Sequence, residues 1–255
     1  MRQARVSELD QRWASEVLAE ITRVRREKGG RPIVVLDIDL TLLDNRERTR
    51  HILRDYLLAS ARSESGRVSA LLELERRQIG YSIQENMAAL GVEGDEFRQS
   101  GLPFWMERFF SDRYARFDVP YPGAPAACRR MREAGAVLVY LTGRYMDTQA
   151  TGTVDSLRHY GFPVAEMGTQ LVMKTSRSES DTDYKRRVTS EIRGYGDVVA
   201  AVDNEPGHCN TMASLLPGAR VAWMDTLHSG KGGPLAEGVV TIQSFLGFGT
   251  QSSGA

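Results

Sequence analysis

Cysteine is nearly missing from this chain: Cys128 and Cys209 are the two among 255 residues. They do not form a Cys-x-x-Cys pair and make no disulfide framework, so both read as small hydrophobes of a reduced compartment. An excess of either charge is also missing. Thirty-three Lys and Arg balance thirty-three Asp and Glu, which gives no support to a generic binder of nucleic acid or of membrane surfaces. No apolar run is long enough to cross a bilayer, and Met1-Arg2-Gln3-Ala4-Arg5 leads into a charged segment without a signal-type apolar stretch. No membrane partner and a cytoplasmic location are therefore expected. His51, His159, His208 and His228 share no metal-ligand spacing and read as structural, with His228 the one placed to lie near a site. No internal repeat is visible. What remains, 41% hydrophobic and 26% charged residues, suits one large domain or a core plus a smaller one.

Against that background, Ile33-Val34-Val35-Leu36-Asp37-Ile38-Asp39-Leu40-Thr41-Leu42 stands out. Four apolar residues read as a buried strand, followed by two carboxylates spaced by one. If the strand continued, Asp37 and Asp39 would point the same way. Like charges brought together at a buried tip are costly unless a cation sits between them or one acid keeps its proton. The pair points to metal-assisted chemistry.

The rest of the chain divides by pattern. Val6, Leu9, Trp13, Val17, Ile21 and Val24 recur at helical steps and stop at Gly29-Gly30, which predicts an N-terminal helix over 1–30 that packs on the core. Residues 45–118 read as short helices with turn signals at Gly66, Gly80, Gly91, Gly94 and Gly101, and no strand. From 119 onward helices alternate with apolar runs at 137–141, 171–173, 198–202 and 220–223. Alternation of this kind predicts an α/β fold with a parallel, Rossmann-like sheet over 31–44 and 119–250. The all-helical 45–118 block is then a separate small domain inserted between strands. The small polar tail, 251–255, is expected to be disordered.

Three of the predicted strands run into polar residues: Leu36 into Asp37, Leu141 into Thr142-Gly143-Arg144, and Val202 into Asp203-Asn204-Glu205. Open α/β sheets bind ligands at the carboxyl ends of their strands. If the three are neighbours, Asp37, Asp39, Thr142 and Asp203 converge, with Lys185 on the helix leading into the third strand. Carboxylates, a hydroxyl beside glycine and an ammonium make a site for Mg²⁺ and a phosphoryl group.

Those residues, in that order, resemble the haloacid dehalogenase superfamily in its phosphatase branch. Asp37-Ile38-Asp39-Leu40-Thr41 is similar to the first motif, Leu141-Thr142-Gly143-Arg144 to the second, Lys185 in Tyr184-Lys185-Arg186 to the third, and Asp203-Asn204 to the fourth. The helical block lies where that family inserts its first type of cap. The resemblance implies Asp37 as nucleophile, forming an aspartyl-phosphate, and Asp39 as general acid and then base. It implies that Thr142, with Gly143 and Arg144, holds the phosphoryl group, and that Lys185 offsets its charge. It implies Mg²⁺ held by Asp37, the main-chain carbonyl of Asp39, and Asp203. Because dehalogenating members usually lack the second aspartate, a phosphatase acting on a small phosphorylated metabolite is the expectation. The chain departs from the pattern at Asn204, where a second acid is common; Asn204 or Glu205 is then the candidate for a supporting role at the metal.

Several alternatives stay open at this level. Lys174, directly after a strand, competes with Lys185. Arg46 is a candidate substrate contact, although Glu47 and Asp55, interleaved with Arg46, Arg48, Arg50 and Arg54, favour a solvated, ion-paired helix face. The stretch from His228 to Gly233 lacks the order of a phosphate-binding loop and reads as a flexible loop. Trp105, Phe104, Phe109 and Phe110 read as core of the helical block. On the same site, phosphoryl transfer, as in a mutase, and a nucleotide phosphatase are rival functions. The segment from Leu171 to Lys185 also resembles polynucleotide 3′-phosphatases. Nucleic acid enters only as such a 3′-phosphate substrate.

Overall fold

The protein is described as a computed structural model covering residues 6–27, 29–60 and 63–249. The opening pentapeptide and the 251–255 tail lie outside the described residues. Among the described residues no helix is long and apolar enough to cross a membrane. The chain divides into two compact units, one of residues 1–43, 120–146 and 157–255, the other of 44–119 and 147–156.

The first unit opens with α1 (Glu8–Glu27), whose Trp13, Val17, Ile21 and Val24 are buried. The predicted stripe holds from Trp13 onward, but Leu9 is about half exposed. Trp13 Nε1 donates to the Arg220 carbonyl at 3.3 Å, and buried Asp10 accepts from Ser244 Oγ at 2.9 Å and from the Gln243 amide at 3.0 Å. These bonds give α1 a packing role. Strand β1 (Pro32–Leu36) follows and is buried throughout. Short β2 (Leu43–Asp44) marks the departure into the second unit.

The second unit contains α2 (Arg46–Ala59), α3 (Glu64–Arg76), α4 (Ile83–Ala88), the short α5 (Gly94–Glu96) leading through a π-helical turn into α6 (Leu102–Phe109), and α7 (Asp112–Ala115). Leu53, Leu57, Leu74, Met87 and Val92 form its core, with Phe104 and Trp105 packed against it. The aromatic run is therefore packed largely as expected; Trp105 and Phe109 stack at 4.3 Å. Arg48 corrects the expectation of a solvated arginine face. It is fully buried, and its Nε donates to the equally buried Asp118 at 2.7 Å. Its Nη1 also reaches the Phe109 carbonyl at 3.2 Å. The reason is tertiary: Asp118 supplies a countercharge seventy residues away, which helical periodicity does not register. Arg50 similarly caps main-chain carbonyls, donating to Arg77 O at 3.0 Å.

The chain returns through β3 (Val119–Pro120), which pairs with β2 in a two-stranded ribbon. The alternating half follows: α8 (Ala124–Glu133), β4 (Val137–Tyr145), α9 (Met146–His159), β5 (Thr169–Lys174), α10 (Asp181–Ile192), β6 (Asp197–Asp203), α11 (Pro206–Leu215), β7 (Arg220–Met224) and β8 (Val240–Ile242). The sheet order is β5-β4-β1-β6-β7-β8, with every pair parallel. Strand β8 is absent from the sequence reading, although Val239-Val240-Thr241-Ile242 is a β-branched run. The chain leaves β1 toward β4 on one side and later fills the other side with β6. This reversal beside β1 is the kind of switch point at which such sheets bind ligands.

Candidate active site

The strands carrying the three polar ends, β4, β1 and β6, are immediate neighbours. Strand β1 ends at Leu36, and the Asp37 amide still donates to the Val202 carbonyl at 3.0 Å. The Ile38 carbonyl collects the amides of Leu43 at 2.8 Å, Leu42 at 2.9 Å and Thr41 at 3.3 Å, and Leu40 takes φ +56°. Left-handed backbone in a leucine is strained and persists where surrounding bonds fix it. Asp37 and Asp39 lie beyond the end of β1, and their carboxylates meet different partners.

Asp37, 3% exposed, accepts Lys185 Nζ on Oδ1 at 2.7 Å and the Thr41 hydroxyl on Oδ2 at 2.7 Å. The same Lys185 Nζ donates to Asp203 Oδ2 at 2.6 Å. One ammonium thus bridges acids from two adjacent strands, 148 and 18 residues away in sequence. Lys174 lies elsewhere: its ammonium bonds Asp181 Oδ1 at 2.7 Å and the Glu179 carbonyl at 2.6 Å. Of the two candidate lysines, Lys185 is the one that meets the acids.

Asp39 is gripped from β4. Arg144 Nε reaches its Oδ2 at 2.7 Å and Arg144 Nη2 its Oδ1 at 2.8 Å, a two-point pair, while Thr142 Oγ1 lies 3.4 Å from Oδ2. The ladder of β4 with β5 is irregular between Leu141 and Tyr145, the stretch that holds Thr142, Gly143 and Arg144. Thr142 Oγ1 also accepts the Arg144 amide at 3.2 Å. Arg46 belongs to the second unit, where its guanidinium pairs with Asp44 at 2.9 Å.

At the fourth motif, Asn204 Nδ2 donates to the Leu227 carbonyl at 2.7 Å and its Oδ1 lies 3.4 Å from the Thr41 hydroxyl. Glu205 turns away from the acids. Its carboxylate accepts the Ser229 amide at 2.8 Å and the Ser229 hydroxyl at 2.6 Å. Gly232 packs so closely on Gly207 that a Cβ there would lie 2.4 Å from the Gly207 nitrogen. The loop from His228 to Gly233, expected to be flexible, is thereby pinned to α11. His228 accepts the Gly230 amide at 3.1 Å and meets Trp223 edge-on. His208 is the residue that sequence reasoning missed: its Nδ1 lies 3.3 Å from Asp203 Oδ1. The available signal was its position one turn into the helix that follows Asp203.

Charge explains the arrangement. Three carboxylates, Asp37, Asp39 and Asp203, face two cations, Lys185 and Arg144. Burial pushes Asp37 up to about 7, opposed by Lys185 and reinforced by repulsion from Asp203 and Asp39. Burial acts on Asp203 in the same direction, but Lys185 and His208 outweigh it and hold that acid below the usual carboxylate range. Burial would lower Lys185, yet the attraction of Asp203 and Asp37 keeps it above its ordinary value. The two acids share one ammonium, so their titrations belong to the pair.

Among the described residues no three His, Cys, Asp or Glu side chains are gathered around one point for a metal. Asp37 and Asp203 are buried oxygen donors of the type a hard divalent cation takes, and the position between them is held by the Lys185 ammonium.

No protein-family model and no curated protein matches this sequence. Solved structures do share its fold. A Clostridium difficile protein provisionally described as a phosphatase superposes with a TM-score of 0.55 at 14% identity, over 77% of this chain and 86% of that one. Protein Tyrosine Kinase A of Mycobacterium tuberculosis gives 0.52 at 15% identity, over 86% and 99%. A HAD-superfamily hydrolase of subfamily IA from Geobacter sulfurreducens gives 0.50 at 12% identity, over 85% and 94%. The fold is the haloacid dehalogenase-like α/β fold that the motif order implies.

Proposed function

We propose that this chain, on its haloacid dehalogenase-like fold, is a magnesium-dependent phosphomonoesterase that works through an aspartyl-phosphate on Asp37. The observation carrying this reading is the Lys185 ammonium between Asp37 and Asp203, at 2.7 and 2.6 Å, beside Asp39 at the carboxyl ends of adjacent strands. Asp37 attacks phosphorus, the bond from phosphorus to the leaving oxygen breaks, and that oxygen takes a proton from Asp39. Asp39 then accepts a proton from water as the water oxygen attacks phosphorus, releasing phosphate and restoring Asp37. Thr142 and Lys185 hold the phosphoryl oxygens and offset their charge. Asp37, Asp203 and the Asp39 carbonyl would hold magnesium, which would supply positive charge toward the phosphate.

The substrate class is a small phosphorylated metabolite, and the inserted helical unit is the candidate for selecting among them. The test is phosphate release from p-nitrophenyl phosphate with Mg²⁺. Asp37→Asn should lower turnover by about 10⁴-fold or more, since removing a nucleophile abolishes the covalent route. Unchanged turnover in that variant removes the mechanism. One neighbour in fold is named as a tyrosine kinase, so the same assay includes an added alcohol: a new phosphate ester in place of free phosphate identifies transfer.

A further inference from the structure

Arg144 follows the motif-two threonine and glycine, where a guanidinium is suited to binding phosphate. The structure uses it differently. Its Nε and Nη2 meet the two oxygens of Asp39 at 2.7 and 2.8 Å, and its side chain is 2% exposed while that of Asp39 is 27% exposed. A two-point pair fixes the plane of a carboxyl group as well as its place, which a single ammonium contact does not. Thr142 Oγ1 stands 3.4 Å from Asp39 Oδ2. The accessible group is the acid, and the buried group is the arginine that orients it.

We propose that Arg144 is a positioning residue for Asp39, aiming the acid at the leaving oxygen, and is not a ligand of the phosphoryl group. The inference rests on the phosphatase reading of this site. In the step it serves, Asp37 forms its bond to phosphorus, the leaving oxygen departs with the bonding pair, and the Asp39 proton moves to that oxygen. Misaiming Asp39 harms this step in proportion to how much the leaving group needs the proton. A nitrophenolate leaves readily without one; an alkoxide does not.

The two roles therefore separate by leaving group. Arg144→Gln removes the guanidinium, and Arg144→Lys keeps the charge but not the two-point geometry. For wild type and both variants, kcat/KM is measured with Mg²⁺ on phosphate esters running from p-nitrophenyl through phenyl to propyl. This parameter reports on formation of the aspartyl-phosphate and excludes its hydrolysis. A positioned general acid contributes about 10²–10⁴-fold. Both variants should therefore lose about 100-fold or more on the propyl ester and less than about tenfold on the nitrophenyl ester, steepening the dependence on leaving-group pKa. Turnover of the nitrophenyl ester shows at once that the variants are folded. An equal loss on every ester, with slope unchanged, makes Arg144 a phosphate ligand and overturns the inference. Wild-type rates in Arg144→Gln overturn it as well, because the pair is then packing. Failure of the underlying reading shows separately, as absence of aryl phosphate turnover in the wild-type protein.

Discussion

In the helical unit Arg48 and Asp118 are both fully buried and form a matched pair, one charge against one. In the α/β unit Lys185 stands between two buried acids, and Arg144 serves a third. The two solutions have different consequences. The balanced pair bonds to itself, and Arg48 also to the Phe109 carbonyl, which fixes structure. An unbalanced cluster holds negative charge that a cation relieves, and one of its acids, Asp37, is pushed up to about 7. Buried charge is thus not by itself a sign of chemistry; stoichiometry separates the two regions.

The largest effect expected in breaking this comparison is on the balanced side. Arg48→Met leaves Asp118 buried without its countercharge, which costs about 3–5 kcal/mol. The double variant Arg48→Met with Asp118→Leu removes both charges and should recover most of that loss. Urea melts of the two proteins provide the test. If the double variant is as unstable as the single one, the pair contributes through geometry and not through balance.

On the unbalanced side the sign reverses and depends on pH. Asp37 has a folded pKa raised by burial above its unfolded value, so its contribution to stability is full below about pH 4 and lost as pH rises to about 7. Asp203, held low, contributes above the ordinary carboxylate range, and that contribution is lost as pH falls. In chelator-treated protein, Asp37→Asn should therefore raise Tm by several degrees at pH 8 and by clearly less at pH 5. With excess Mg²⁺ the order inverts, because the wild-type protein gains a ligand-binding term that the variant lacks. An equal change in Tm at both pH values would show that Asp37 carries no buried charge cost.

Much of the acid cluster was legible because each member ends a short apolar run, and burial of those runs dictates where the chain turns polar. Asp37 and Asp203 needed only the parallel strand order to meet. Side-chain destination was less legible. Lys174 ends β5 and Lys185 lies in the first turns of α10, and the positions of Asp181 and Asp203 separate them. Arg48 looked like one of four surface arginines because its partner is seventy residues distant. Arg144 reads from its motif as a phosphate contact, and its pairing with Asp39 is made 105 residues away in sequence. No hydrophobic period encodes that. His208 and the pinned loop were hidden for the same reason, since their bonds to Asp203 and Glu205 are made by tertiary placement.

The smallest effect concerns Asn204, where an acid is common in proteins this sequence resembles. Its amide nitrogen donates to the Leu227 carbonyl at 2.7 Å while its oxygen faces the Thr41 hydroxyl. A carboxylate accepts at both ends. Asn204→Asp would set an oxygen against the Leu227 carbonyl, lose that bond, and add a fourth acid to a cluster already short of positive charge. The metal-free variant should be about 1–2 kcal/mol less stable, and saturating Mg²⁺ should recover part of that loss. Thermal melts across a Mg²⁺ titration read both quantities. If the variant is as stable as wild type without metal, the Leu227 bond is not what keeps asparagine at this position. If stability falls and Mg²⁺ restores it, the amide is the local compromise between anchoring the loop after β7 and charging the site.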